Sequence, residues 1–431
     1  MRNNRSNFIR LGYLLLFVLE LGLISFWRTP SWKGMMNPIW LLLISLCICI
    51  LPFIHISGKE SNKGPSPIFA TAGLMGLCAL LLGFLIPGLQ AIYLKYPIEV
   101  AQSDIIPQID VMLRRFFVEG VTPYQKITEF GYEMFSPYMP LHWGPFIITD
   151  TLGVDHRWLP FSLYALVSLW LTFRISRLDI HLGWKVVCVS LPALLYWNMM
   201  THMDTIFGHT IEPLIMAYYM FLCLSLSSKS VVIRALGLMF CLLSRYSVVF
   251  WVPLWLWVIW KKEGLKPAIW VTGLAGMGVL FLYVIPFLLP DPSIISQGLA
   301  HHQLVTNTAW TFEGWYHGSG KPLILTWGTG LGIYFFDYWP GTVLDRLSAI
   351  QRTQLIVSIL SVIAMALVFI KGKWRMTTPL FLMLSLKLYL SIFYYLNALP
   401  FVYYIMVPVS LSMVLLPFLM EHEQGVNQTS S

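Results

Sequence analysis

Four groups of polar residues in this chain have types and spacings that can do chemistry. Asp104 and Asp110 stand six apart in Ser103-Asp104-Ile105-Ile106-Pro107-Gln108-Ile109-Asp110, just ahead of Arg114 and Arg115. A carboxylate of this kind can take a proton from a hydroxyl as general base. Its bland alternative for Asp104 is capping of the helix that follows. Asp110 is the second carboxylate candidate, and its position four before Arg114 equally fits an ordinary helix-face ion pair. Arg245 sits in Leu242-Leu243-Ser244-Arg245-Tyr246-Ser247, at the middle of an apolar stretch. A charge there is costly unless it meets a polar cavity or the surface. A guanidinium fork matches phosphate geometry. The alternative is an arginine that snorkels to the interface. Thr201-His202-Met203-Asp204 offers His202 and Asp204 as ligands for an acceptor or phosphate, or is a solvated turn. His301 and His302 are adjacent, so on a helix they point apart; a joint metal site is not expected, whereas one can serve as an acid or a phosphate ligand.

The elements that position these groups are set by composition. Of 431 residues, 57% are hydrophobic and 11% charged, and mean hydropathy is +0.70. Soluble domains carry roughly 25% charge, so a water-soluble enzyme, a disordered chain and a disulfide scaffold are all excluded. The six cysteines all lie in apolar runs and read as small hydrophobes. Apolar runs near 11–27, 38–56, 68–92, 158–174, 184–200, 206–226, 231–244, 246–260, 268–290, 354–370, 377–396 and 400–420 predict a polytopic all-α bundle of ten to twelve spans. The pair within 231–260 also fits a short helical hairpin that dips into the bilayer. Met1 to Arg10 with the run after it resembles a signal sequence without a cleavage site, which predicts an uncleaved first span.

Basic residues fix the orientation and account for most of the net charge of +8 without a nucleic-acid partner. With the N-terminus in the cytoplasm, short inside segments hold Arg2, Arg5, Arg10, Lys59, Lys63, Arg174, Arg177, Lys261, Lys262, Lys371, Lys373 and Arg375 among others. The whole chain, 1–431, then reads as one membrane domain with two long outer loops, 93–157 and 291–353. In the first, Pro107 to Glu119 has apolar spacing for a helix along the membrane interface, stopped by Gly120. The second carries His301, His302, Trp310, Phe312, Trp315, Tyr316, His317 and Lys321; with so many rings in the chain, most fit interfacial anchors.

The first outer loop resembles the GT-C superfamily of integral-membrane glycosyltransferases, which take sugars from polyprenyl-phosphate donors. The resemblance lies in an outer-loop acid followed by Gly-x-x-Pro-Tyr and Tyr-x-Pro-Leu, here Asp104, Gly120 to Tyr124, and Tyr138 to Leu141, about 40 residues in all. It implies a mannosyltransferase-like enzyme of a bacterial inner membrane, with Asp104 as base and Tyr124 and Tyr138 shaping the acceptor side. Its partners would be a polyprenyl-phosphate-linked sugar, a glycan or lipid acceptor and the bilayer. This chain differs in placing three spans before the motif and in spacing its two acids widely, where many members have Asp-x-Asp. That spacing disfavours a metal between them; no cofactor is assigned, and a divalent ion stays open. Inversion at the sugar carbon asks for one base opposite the leaving phosphate and a cation beside it, which assigns Asp104 to the acceptor and Arg245, with His301 or His302, to the donor phosphate. A transporter or lipid flippase is the rival from another class, raised by Glu20 and Lys387 inside spans; an oligosaccharide ligase or polymerase is the rival enzyme.

Overall fold

The computed structural model describes residues 2–25, 36–55, 68–313, 320–372 and 376–422. Lys59, Lys63, Trp315, Tyr316, His317, Lys373 and Arg375 lie outside them. The described chain is helical, and its only β pairing is one isolated bridge between Ile127 and Met134. Among the described residues seven helices are long and apolar enough to cross a membrane: Phe8–Ser25, Ile68–Lys95, Trp158–Ser176, Leu265–Leu288, Val343–Lys371, Thr378–Tyr395 and Val402–Glu421. Pro38–Phe53, Glu212–Ser225 and Val231–Leu242 are shorter apolar helices. This is a helical membrane protein; the twelve apolar runs overcount full-length spans, because several fold as shorter pieces.

The first three helices, α1 (Arg2–Ser25), α2 (Met36–His55) and α3 (Ile68–Gly83), are followed by α4 (Ile86–Lys95), which continues α3 after a break at Phe84 and takes Pro87 in its first turn, where a missing N–H costs nothing. The connecting segment folds as α5 (Ile105–Leu113), a π turn over Arg114–Val118, and the short helices α6 (Pro140–Trp143) and α7 (Ile147–Leu152). Then come α8 (Trp158–Ser176), α9 (Leu182–His202), α10 (Asp204–His209) and α11 (Glu212–Ser225).

Residues 231–260 settle as the hairpin alternative. α12 (Val231–Leu242) and α13 (Val252–Glu263) have 12 residues each, about 18 Å at 1.5 Å per residue, well short of a roughly 30 Å hydrocarbon core. Arg234 and Glu263 close the open end of the hairpin at 2.6 Å, which leaves Arg245 at the tip. Beyond it lie α14 (Leu265–Val279), prolonged by a π segment over Leu280–Leu288, then α15 (Ser293–Thr311), α16 (Leu323–Trp327), α17 (Gly332–Tyr338), α18 (Val343–Lys371), α19 (Thr378–Tyr395) and α20 (Met406–His422). α18 starts on a capping box in which Thr342 and Asp345 satisfy each other's backbone N–H, and ends at Gly372 with φ 59°.

The span containing α20 has 83% of its residues buried, and that of α18 only 17%. α20 is therefore the axis of the bundle, while α18 turns Ile356, Leu360, Ile363 and Leu367 outward, a surface suited to lipid. Of the 107–119 stretch, α5 is covered by protein, with Ile106, Ile109, Val111, Met112 and Leu113 all buried, whereas Phe116, Phe117 and Val118 in the π turn are exposed. The two intramembrane charges find each other. Lys387 Nζ donates to Glu20 Oε1 at 3.3 Å, to Ser45 Oγ at 3.2 Å and to the Pro408 carbonyl at 2.9 Å. Glu20 also accepts from Ser45 and, at 2.5 Å, from Ser412. Both charged side chains are fully buried.

Candidate functional site at the tip of the 231–260 hairpin

α12 stops at Leu242, and the chain becomes extended at Arg245 before a single 3-10 turn, Tyr246–Val248. This turn drives the guanidinium inward instead of out to the surface. Arg245 Nη2 donates to Glu212 Oε1 at the start of α11. Their side chains are 17% and 5% exposed, so the snorkelling alternative does not hold. The ring of Tyr404 lies 4.9 Å from the guanidinium carbon and that of Tyr403 6.0 Å; both rings come from the 3-10 turn Val402–Ile405 that leads into α20. Among the described residues Arg245 Nη1 is buried without a hydrogen-bond partner. One edge of the fork is thus held by Glu212, while the Tyr394 hydroxyl also lies close to the guanidinium.

Asp104 stands at the N-cap position of α5, yet its side chain caps no backbone N–H, which removes the bland alternative for it. Its Oδ2 instead accepts from the Tyr132 hydroxyl at 2.9 Å. Burial together with this bond to Asp104 pushes the Tyr132 phenol up to about 12. Asp104 and Arg245 share a neighbour in Tyr138. Burial pushes the Tyr138 phenol up first, with Asp104 and Glu212 adding to it and Arg245 opposing. The Tyr138 ring stacks on His142 at 4.1 Å and 16°. His301, on α15, is near enough to Asp104 for the carboxylate to oppose the lowering that burial imposes on the imidazole. His302 is lowered by burial and then by His301.

Other sequence candidates have different partners. Asp110 is not paired with Arg114. Its Oδ1 lies 2.8 Å from His156 Nε2, while His156 Nδ1 lies 2.6 Å from Thr149 Oγ1. Arg114 goes to Glu119 at 2.9 Å and Glu129 at 2.6 Å, although its backbone N–H still donates to the Asp110 carbonyl; each side chain has another partner, Asp110 on His156 and Arg114 on the two glutamates. Tyr124 is buried and donates to the Tyr138 carbonyl at 2.8 Å, so it fixes the Tyr138 backbone. Asp204 Oδ2 accepts from Lys95 at 2.8 Å and Tyr96 at 2.7 Å. Burial opposes ionisation of Asp204, but these two donors hold its carboxyl below the ordinary value. It fastens α10 to α4. His202 Nδ1 lies 2.8 Å from the Asn198 carbonyl, within its own helix end. Lys321 is taken by Asp337 at 2.6 Å.

No group of three His, Cys, Asp or Glu side chains with metal-binding geometry occurs among the described residues. A divalent ion between Asp104 and Asp110 does not fit this arrangement, since one carboxylate is turned to Tyr132 and the other to His156. Glu212, His142, Tyr132, Tyr403 and Tyr404 were not singled out by sequence. Only Glu212 carries a signal there, as the one acid inside the 206–226 apolar run.

An apolar groove of about 360 Å³ runs along α8, α11 and α12, lined by Leu141, Leu163, Val167, Trp170, Phe221 and Phe240 among others. The Leu141 N–H donates to the Leu243 carbonyl at 2.8 Å, which ties the head of the groove to the turn that carries Arg245. Comparison with protein-family models, with curated proteins and with solved structures found no match to this chain.

Proposed function

We propose that this chain is a membrane glycosyltransferase that moves a sugar from a polyprenyl-phosphate donor to an acceptor hydroxyl on the extracytoplasmic side, with inversion. The observation that carries the reading is a buried arginine whose Nη1, among the described residues, has no hydrogen bond of good geometry, and a carboxylate without a capping role, both within electrostatic reach of one tyrosine, Tyr138. Nη1 of Arg245 supplies a donor to a phosphate oxygen, and that bond strengthens as the leaving oxygen gains charge. Asp104 takes the proton of the acceptor hydroxyl while the acceptor oxygen bonds to the sugar carbon. The carbon–oxygen bond to phosphate then breaks, and its electron pair stays with the phosphate beside Arg245. The groove that begins at Leu141 offers the prenyl chain an apolar path into the bilayer. The excess of basic residues in short segments supports a cytoplasmic N-terminus in an inner membrane. The transporter alternative draws on the ion pair of Glu20 and Lys387, but each of these charges is enclosed by hydroxyl and carbonyl partners. That is the environment of a fixed tie between helices.

The test is incubation of purified protein with a panel of radiolabelled polyprenyl-phosphate sugars and membrane-derived acceptors. Label should pass from the carrier lipid to a new product. A protein that transfers no label from any carrier, and moves lipid or solute across vesicles instead, belongs to the rival class.

A further inference from the structure

His142 is 2% exposed, and among the described residues neither of its ring nitrogens has a hydrogen-bond partner. The Ser244 backbone approaches the ring without closing a bond of acceptable geometry. Two unmet nitrogens in a buried imidazole are expensive, and a third, Arg245 Nη1, belongs to the same neighbourhood. Arg245 is close enough that its charge acts on the imidazole, and Tyr138, half-buried, covers the ring face. Three buried nitrogens able to hydrogen-bond an anion thus lie near one another, with the Tyr138 ring over one of them.

Charge then decides what the ligand must bring. Arg245 and Glu212 neutralise each other at rest. A singly charged phosphodiester against Arg245 would leave one net negative charge in a buried site, with Asp104 adding another at the rim; an uncompensated buried charge is strongly disfavoured. The charged group that acts on His142 is Arg245 on the hairpin; Tyr138 stacks on the ring, Glu212 on α11 is paired with Arg245, Asp104 acts on Tyr138, and Asp110 is turned to His156. His142 is the basic group there that is still uncharged. Burial, then the Arg245 charge, hold its imidazole down at about 3, so it is neutral until an anion arrives.

We propose that His142 is the second ligand of the phosphate group that Arg245 takes, and that the anion binds together with one proton, which His142 carries. Tyr138 swings off the imidazole to admit it. This rests on the phosphate role of Arg245 given above and adds a proton-linked donor step. The sign follows from linkage: a group that is neutral when free and protonated when bound makes affinity rise as pH falls, by up to about tenfold per pH unit for one proton.

The experiment measures binding of radiolabelled polyprenyl methyl phosphate, a diester that stays singly charged, to the full chain in detergent between about pH 5 and pH 7. No turnover is involved. Wild type should gain affinity towards low pH, approaching tenfold per unit. His142→Asn and His142→Gln, which keep an N–H donor but cannot take the proton, should bind with no pH slope; Asp104→Asn should keep the slope. A slope that survives in both His142 variants overturns the proposal, and so does a wild type that binds through Arg245 with no slope. If Arg245→Ala binds as tightly as wild type, the phosphate reading itself is lost, and this inference with it. Should the His142 variants fail to fold, Glu212→Gln decides: a slope kept in Glu212→Gln and in Asp104→Asn leaves the proton on the imidazole, and a slope lost in Glu212→Gln overturns the proposal.

Discussion

Arg245 gives one guanidinium nitrogen to Glu212, and among the described residues the other is buried without a hydrogen bond of good geometry. A buried pair of this kind is strongly destabilised by removal of one member, by about 3–5 kcal/mol, because the survivor is left charged and dry. Glu212→Ala should therefore lower the thermal midpoint in detergent more than the double variant Glu212→Gln with Arg245→Met. Equal loss in the two would mean that the pair is solvated and the tip of the hairpin open.

Arg245→Lys keeps the charge but loses the fork. Donor affinity and turnover should both fall, and Arg245→Ala should be worse, with acceptor affinity little changed. Donor titration at saturating acceptor measures this. An unchanged donor dependence in Arg245→Ala would shift the search for the phosphate ligand to His301, His302 and Lys321.

Asp104→Asn retains size and the bond from Tyr132 but cannot take the acceptor proton, so turnover should drop by a factor on the order of 10² to 10⁴. Asp110→Asn should affect folding more than chemistry, since its carboxylate holds His156. Turnover per folded molecule, with folding checked by thermal melts, separates the two effects; the reverse ranking would move the base to Asp110.

Asp204 gives a pH test independent of chemistry. Its carboxyl is held below its ordinary value by Lys95 and Tyr96 against the opposing effect of burial. A lowered native value contributes stability that is present above the unfolded value, about 3.9, and is lost as pH falls through the native one. Asp204→Asn should thus melt earlier than wild type at neutral pH, and the gap should close as the solution is acidified below the carboxylate range. A gap that is constant with pH would show that the loss is steric.

Orientation has its own check. Single cysteines at Asp104, Asp204 and His301 in a background without the six native cysteines should react with an impermeant maleimide added to intact cells. Reaction only after lysis would invert the topology.

The helices and the site were unequally legible in the sequence. Apolar runs mark where helices lie, since burial in lipid or protein both demand them, and the charge of Arg245 at the middle of 231–260 marks the hairpin tip. Length alone separates spans from shorter helices, and run boundaries blur it. Pairings were hidden wherever partners are far apart: Glu212 meets Arg245 across 33 residues and Asp110 meets His156 across 46. Local spacing even misleads at Asp110 and Arg114: the helical register between them is kept, but partners farther along the chain, His156 for one and Glu129 for the other, take the two side chains. His142 is silent in sequence, being one histidine in a Pro-Leu-His-Trp segment whose interest lies in what its nitrogens do not touch.

The tie between Glu20 and Lys387 joins residues 367 positions apart, and that distance is also an interval of time. The carboxylate enters the bilayer with the first helix, long before the ribosome has made its ammonium partner. Until then it must wait at the membrane edge or in the care of the insertion machinery. The tie between the first helix and α19 therefore closes only after residue 387 has been made. A chain released before residue 387 would hold an orphaned acid in its first helix, a mark by which quality control can tell an unfinished copy from a finished one.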